Sequence, residues 1–384
     1  MRELSQILDA FDRLQADGKS AALATVVSVG GSSYRRAGAR MLIAADGRTW
    51  GGISGGCLER DVARRGRGAI ETGEPILCRY DTTETPEEDN DGSTLLDLGR
   101  TPGVMLGCRG VIDLFIERIS PDWPGPMPLI ARAVRERATV RCATLLRKSS
   151  GVRTQLCTRF LENGCILLRE ANADAELTAA IGDVLRQEAT SAYGTMHHLT
   201  LAKAQSADIF EETLQPPQSI VIFGGGSDVV PVLELAKTLG WHVTIVAGAG
   251  AIGGRERFAA ADVLRLADRD DPSAGIVPET DAAVVLMTHD FSRDAGILES
   301  LAGRPIRYLG VLGPRSRTER LLAKASGAAN WNAFYPAGLD IGADNPELIA
   351  LAIVAEIQAA LSNRPGGVLR DRPGPIYPRV KETG

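Results

Sequence analysis

Directly after Gln215-Pro216-Pro217-Gln218 the chain runs strand, glycine loop, helix, strand, and few folds accept that order. Ser219–Phe223 is apolar and β-branched, Gly224-Gly225-Gly226 is the loop, Val229–Leu239 has helical composition, and His242–Val246 is a second apolar strand. Further buried strands are predicted at Ala282–Met287 and Arg307–Leu312, and a long helix at Pro346–Ser362. Strands alternating with helices predict a parallel sheet covered on both faces, and the proline pair marks a domain boundary.

In such a sheet a ligand meets the carboxyl ends of the strands. Gly224 permits the sharp turn and Gly226 lets backbone approach a pyrophosphate, with helix amides facing the anion. The third glycine position holds Val229, so the fingerprint is incomplete. At the tip of the second strand, where an acidic residue ordinarily binds ribose hydroxyls, stand Ala247-Gly248-Ala249. NAD and NADP are therefore expected to bind poorly. Thr288-His289-Asp290 follows the Ala282–Met287 strand. Two readings are open: a His-Asp pair that binds ligand or transfers protons, or a strand-end turn held by Thr and Asp side chains.

The N-terminal half reads differently. Leu4, Ile7, Leu8, Phe11 and Leu14 mark a helix over residues 1–18, and strands are predicted at Ala21–Val29 and Ala39–Ala44. Thr82–Asp91 is expected to be a surface loop, and an apolar strand lies within Leu106–Ile119. Past the prolines at 121–128 come a helix, strands at Ala138–Leu146, Thr154–Phe160 and Cys165–Leu168, and a helix at Ala173–Ala189. Two glycine loops stand out, Gly30–Arg36 and Gly51–Glu59. They offer amides, hydroxyls and guanidinium groups suited to a phosphate. Ser32, Arg35, Arg36, Ser54, Gly55, Gly56, Cys57 and Glu59 are the candidate binding residues there. Cys57 follows two glycines at the start of a predicted helix, where it is either a soft metal ligand and sulfur nucleophile or a small buried apolar residue. Cys108, in Gly107-Cys108-Arg109-Gly110, is a second candidate metal ligand.

Several function classes lose support. A formal net charge of -5 gives no basic footprint for nucleic acid, and Arg64, Arg65 and Arg67 read as a solvated helix face. No apolar run reaches the ~20 residues of a membrane span. The N-terminus lacks an apolar signal core, and six cysteines without CxxC spacing argue against a disulfide framework. A cytoplasmic protein is expected. Neither HExxH nor GxxxxGK[ST] occurs, and His197-His198 reads as a surface pair.

Together these residues resemble the XdhC/CoxI family. The resemblance rests on Gly31-Ser32-Ser33, Gly38-Ala39-Arg40-Met41, Ser54-Gly55-Gly56-Cys57-Leu58-Glu59 and Gly107-Cys108-Arg109-Gly110 in the first half. In the second it rests on Phe223-Gly224-Gly225-Gly226, Thr288-His289-Asp290 with Asp294, Tyr308–Gly313 and Pro336–Ala343. The matches run in order from about residue 21 to 360. The chain departs from the family pattern at Tyr34, Ser227, Ala247, Ala249 and Pro314.

The resemblance implies an α/β chain with a C-terminal Rossmann-like doubly wound parallel sheet at 219–363. An α+β N-terminal XdhC/CoxI domain precedes it at 1–214, with core motifs at 21–119 and its own extension, and an extended tail follows at 364–384. It implies an accessory protein that binds the molybdenum cofactor (molybdopterin or its cytosine dinucleotide) transiently. That protein would assist sulfuration of the cofactor and its insertion into a xanthine-dehydrogenase/aldehyde-oxidase-type molybdenum hydroxylase. Partners would be the apo-hydroxylase and a cysteine desulfurase, and a homodimer is the default expectation. Family members are sometimes labelled xanthine dehydrogenase, yet this chain carries no Fe–S cysteine spacing. Catalytic candidates are Cys57, His289 and Asp290. Gly224, Gly226, Thr288 and His289 join the first-half loop residues as candidate cofactor-binding residues. The competing class is a nicotinamide-dependent oxidoreductase using the Rossmann domain, with His289 as acid–base.

Overall fold

The first helix, α1 (Arg2–Ala16), buries Ile7, Leu8, Phe11 and Leu14 along one stripe, the i, i+3/i+4 pattern of its sequence. The computed structural model describes residues 2–31, 35–81, 110–149, 154–155, 158–161, 166–167, 175–188, 193–202, 205–248, 255–268, 270–279, 281–325 and 331–373. The chain forms two compact units that divide between Pro216 and Pro217.

The first unit begins with an antiparallel sheet. Its strands are β1 (Ala21–Gly31), β2 (Arg40–Ala44), β3 (Thr49–Gly51), β4 (Ile76–Asp81) and β5 (Gly110–Ile119), in the order β3-β2-β1-β5-β4. Central β1 is buried on both faces, which is why Ala21–Val27 shows no polar alternation. Ala21 and Leu23 pack with α1 and with α3 (Met127–Arg135). Ala22, Ala24 and Val26 pack on the other face against α2 (Glu59–Thr72). Helix α2 comes close because its facing residue is Gly66, where a Cβ would stand 2.5 Å from Ile43 Cδ1.

A second antiparallel sheet follows in the same unit. It comprises β6 (Val140–Ser149), β7 (Thr154–Gln155), β8 (Thr158–Leu161), β9 (Ile166–Leu167), β10 (Thr195–Leu201) and β11 (Gln205–Leu214). The order is β10-β11-β6-β8-β9, with β7 beside β6. Helix α4 (Ala175–Arg186) packs Leu177, Ile181 and Leu185 on it. Strands β4, β10 and β11 have no counterpart among the strands expected for this unit from the sequence. On β10, His197 is only partly exposed and hydrogen-bonded to Glu211 (2.8 Å), while His198 pairs with Asp208 (2.6 Å). The surface reading fits His198 and is corrected for His197, because β11 supplies a buried carboxylate beside it. Arg65 is likewise half-buried rather than fully solvated, since its guanidinium pairs with Asp61 (2.8 Å) and lies over the Tyr80 ring.

Buried charge marks this unit. Arg40 on β2 pairs with Glu212 on β11, both almost inaccessible, and Glu117 and Glu211 are also buried. Burial works to lower the Arg40 pKa, but the Glu212 carboxylate outweighs it and holds the guanidinium charged. Arg141 binds Glu211 through Nε (2.7 Å) and donates to Leu185 O (2.6 Å), tying the end of α4 to the sheet.

The second unit contains an all-parallel sheet of β12 (Ser219–Phe223), β13 (His242–Gly248), β14 (Val263–Ala267), β15 (Ala283–Leu286), β16 (Tyr308–Val311) and β17 (Ala333–Phe334). The spatial order β14-β13-β12-β15-β16-β17 is the doubly wound one, with its switch point between β12 and β15. Helices α5 (Val229–Thr238) and α8 (Pro346–Leu361) cover one face, packing Val232, Leu233 and Ile353 on Ile220 and Ile222. Helices α6 (Phe291–Ser300) and α7 (Arg315–Lys324) cover the other, packing Ile297, Leu298 and Leu321 on Val221 and Phe223. No helix among the described residues is long and apolar enough to cross a membrane.

Candidate functional site

In the first unit the Cys57 loop is built around Ser54. Its hydroxyl accepts the amides of Gly56, Cys57 and Leu58, each at 3.2 Å, and donates to Glu59 Oε2 at 2.5 Å. Glu59 Oε1 in turn accepts the Ser54 amide (2.9 Å). Burial works to raise the Glu59 pKa, and the hydrogen bonds from Ser54 overcome it, so the carboxyl is held below its ordinary value. Gly52-Ile53-Ser54-Gly55-Gly56 has the spacing of a serine-nucleophile turn, but the Ser54 partners are a carboxylate and amides, with no histidine among them.

Cys57 is exposed, which removes the reading of a small buried residue. Helix α2 starts two residues later, at Glu59, and the Cys57 amide is already bound by Ser54. That amide is therefore not a free helix-terminal donor for the sulfur. Gly56 has φ +110°, and among the described residues nothing lies within 4 Å of where its Cβ would be, so the loop is open at Gly56, next to Cys57 in the chain. Cys78 and Cys142 are buried thiols, and burial pushes Cys78 up to about 11.

Arg35 braces the same loop. It donates to Gly52 O through Nε (3.2 Å) and Nη2 (3.0 Å) and pairs with Glu3. Arg36 lies over the Tyr193 ring, 3.8 Å from its centroid. Both predicted phosphate ligands are thus engaged by protein groups. Ser32 and Cys108 lie outside the described residues. Among the described residues no three His, Cys, Asp or Glu side chains group as metal ligands.

In the second unit Gly224 is needed for close approach, because a Cβ there would stand 2.8 Å from Met287 O. Asp228 opens α5 without capping it. Its carboxylate lies over Gly226, and Oδ2 is hydrogen-bonded to His289 Nε2 at 2.8 Å. The pair bridges the switch point, Asp228 following β12 and His289 following β15. His289 is exposed and has φ +58°, a conformation uncommon for a side-chain-bearing residue. Asp290 and Thr288 have structural partners. Asp290 caps α6 by accepting the amides of Ser292 (2.9 Å) and Arg293 (3.0 Å), and Thr288 donates to Asp294 Oδ1 (2.5 Å). Asp294 is buried and also binds Arg317 (2.7 Å). The Asp228 partner was missed from the sequence, where only Gly224 and Gly226 were singled out in its loop.

A doubly wound sheet that follows, in the chain, an antiparallel unit with a cysteine-glycine loop defines the class, and comparison with known proteins gives the family. Residues 14–81 match the XdhC and CoxI family and residues 220–357 match the XdhC Rossmann domain. A Bacillus subtilis protein, named as a probable subunit of xanthine dehydrogenase, is 30% identical over 348 residues, 90% of this chain and 95% of the relative. The molybdenum cofactor insertion chaperone PaoD of Escherichia coli is 23% identical over 346 residues, 88% and 83% of the two chains. A crystal structure described as a xanthine dehydrogenase from Bacillus halodurans shares the fold, with a TM-score of 0.72 at 24% identity over 96% of this chain and 98% of that one. The chain belongs to the XdhC and CoxI family.

Proposed function

We propose that this protein binds the molybdenum cofactor, as molybdopterin or its cytosine dinucleotide. It would assist the cofactor's sulfuration and hand it to an apo molybdenum hydroxylase of the xanthine-dehydrogenase/aldehyde-oxidase type. It acts as a chaperone rather than a turnover enzyme, with a cysteine desulfurase as sulfur source and a homodimer as the working form. The observation that carries this reading is the exposed Cys57 thiol in a loop whose backbone Ser54 and Glu59 hold fixed and Gly56 leaves open. A soft sulfur donor with unobstructed space beside it fits a molybdenum ligand. Two relatives are named for xanthine dehydrogenase and for cofactor insertion.

On this reading Cys57 holds the metal end, with Cys108 as a second sulfur. The cofactor supplies the molybdenum centre on which the client enzyme depends. Ser54 and Glu59 fix the loop, Arg35 braces it at Gly52, and Ser32, Arg36 and Gly55 are the further residues proposed to bind the cofactor. The test is anaerobic purification from a molybdenum-replete host, followed by metal and released-pterin analysis. Near-stoichiometric molybdenum and pterin, reduced in Cys57→Ser, is expected. Absence of both from the unaltered protein would sink the proposal.

The Asp228–His289 pair favours one second reading, a nicotinamide-dependent oxidoreductase with His289 moving the proton. It predicts substrate-dependent NADH or NADPH oxidation that His289→Ala abolishes. The chaperone reading predicts no turnover.

A further inference from the structure

The tip of β13 carries no carboxylate of its own, yet it is not uncharged. Arg293, in the first turn of α6, lays its guanidinium against Gly248. A Cβ at Gly248 would collide with Nη1 and stand 3.1 Å from Cζ and 3.3 Å from Nη2. Nη2 is buried and has no hydrogen-bond partner among the described residues. Packing over a glycine does not account for that, because a buried charged donor without an acceptor is costly and a bound anion would relieve it. In the doubly wound sheet β13 neighbours β12 on the side away from the switch point, so its tip is where the ribose of an adenine nucleotide is read. A carboxylate there accepts the ribose hydroxyls, whereas an arginine there receives a phosphate on the 2′ position. At the other end of the crevice the Asp228 carboxylate lies over Gly226 and weakens the glycine loop as an anion cradle. The contrast places the anion preference at the ribose.

We propose that Gly248 and Arg293 form an anion subsite that takes the ribose phosphate of a 2′-phosphorylated nucleotide. The second unit thus selects such nucleotides over their unphosphorylated counterparts. The sequence expectation that NAD and NADP both bind poorly rested on Ala247-Gly248-Ala249 alone, whereas the cation arrives from a helix 45 residues further on. The inference concerns the second unit by itself and does not depend on the molybdenum reading, so either can fail alone.

The test is calorimetric titration of the full chain with NADP and with NAD at one ionic strength. NADP should bind at least about tenfold tighter, and Arg293→Gln, with an unchanged thermal melt, should abolish the preference. No measurable NADP binding, a smaller preference, or one that survives in Arg293→Gln overturns the proposal. If Arg293→Gln does not fold, Gly248→Ala takes its place. It keeps the guanidinium but drives it from the strand tip, and an undiminished preference there overturns the proposal equally.

Discussion

Ser54 Oγ donates to Glu59 Oε2 at 2.5 Å, closing a ring of hydrogen bonds around the backbone that presents Cys57. Ser54→Ala leaves the amides of Gly56, Cys57 and Leu58 without their acceptor. Loss of a hydroxyl that accepts several amides and binds a carboxylate costs about 1–2 kcal/mol, so urea denaturation should show a loss of that size. Alkylation of Cys57 should also accelerate as the loop loosens. An unchanged urea midpoint would mean that water replaces the hydroxyl.

Cys57→Ser separates chemistry from packing. The side chain is exposed, so stability should stay within ~0.5 kcal/mol of the parent. A client hydroxylase matured with the variant should lose activity several-fold. Cys142 is buried, with Sγ 3.8 Å from Glu212 Oε1, and Cys142→Ser should instead cost about 1 kcal/mol with little effect on maturation. Thermal melts and client activity, measured on both variants, check the pair of expectations. Full maturation by Cys57→Ser would make that cysteine structural.

Arg40 and Glu212 are paired out of contact with solvent. Arg40→Met leaves the Glu212 carboxylate buried without its cation and should destabilise the first unit by about 3 kcal/mol or more. The double variant Arg40→Met/Glu212→Leu should recover much of that loss, since no buried charge of the pair remains. Chemical denaturation of both variants tests this. Equal stability of the two would show that the pair is not coupled.

Acid stability should report Asp61. Burial works to raise its pKa, but hydrogen bonds from Arg65, Tyr80 and Arg64 hold it at about 2, below the ordinary 3.8. The folded state therefore binds this proton less readily than the unfolded chain. The contribution is complete above about pH 4 and is lost as pH falls through about 2. Asp61→Asn should cost on the order of 1 kcal/mol at pH 7, given that the carboxyl is partly exposed. The gap to the parent should narrow between pH 4 and pH 2 in acid titrations followed by circular dichroism. A gap independent of pH would assign the cost to packing.

The sequence by itself determined what local pattern encodes. Ser219–Phe223, Val229–Leu239 and His242–Val246 announced the parallel sheet, because a strand buried on both faces is an uninterrupted apolar run and a glycine loop can close only such a turn. The stripe Ile7, Leu8, Phe11 and Leu14 announced α1, because i, i+3/i+4 spacing places them on one helix face. The Cys57 loop was legible as a glycine-flanked thiol, and Asp290 was legible as one of two alternatives, of which its side chain now supplies the helix cap. Only tertiary structure decided which charges meet. Arg40 finds Glu212 172 residues away, Asp228 finds His289 across the switch point, and Arg293 supplies the cation that the β13 tip lacks in its own sequence. Side-chain charge carries no periodicity that marks its partner. Pairing is fixed by strand order and register, which the packing of whole sheets sets, and so it stays hidden until the chain is folded.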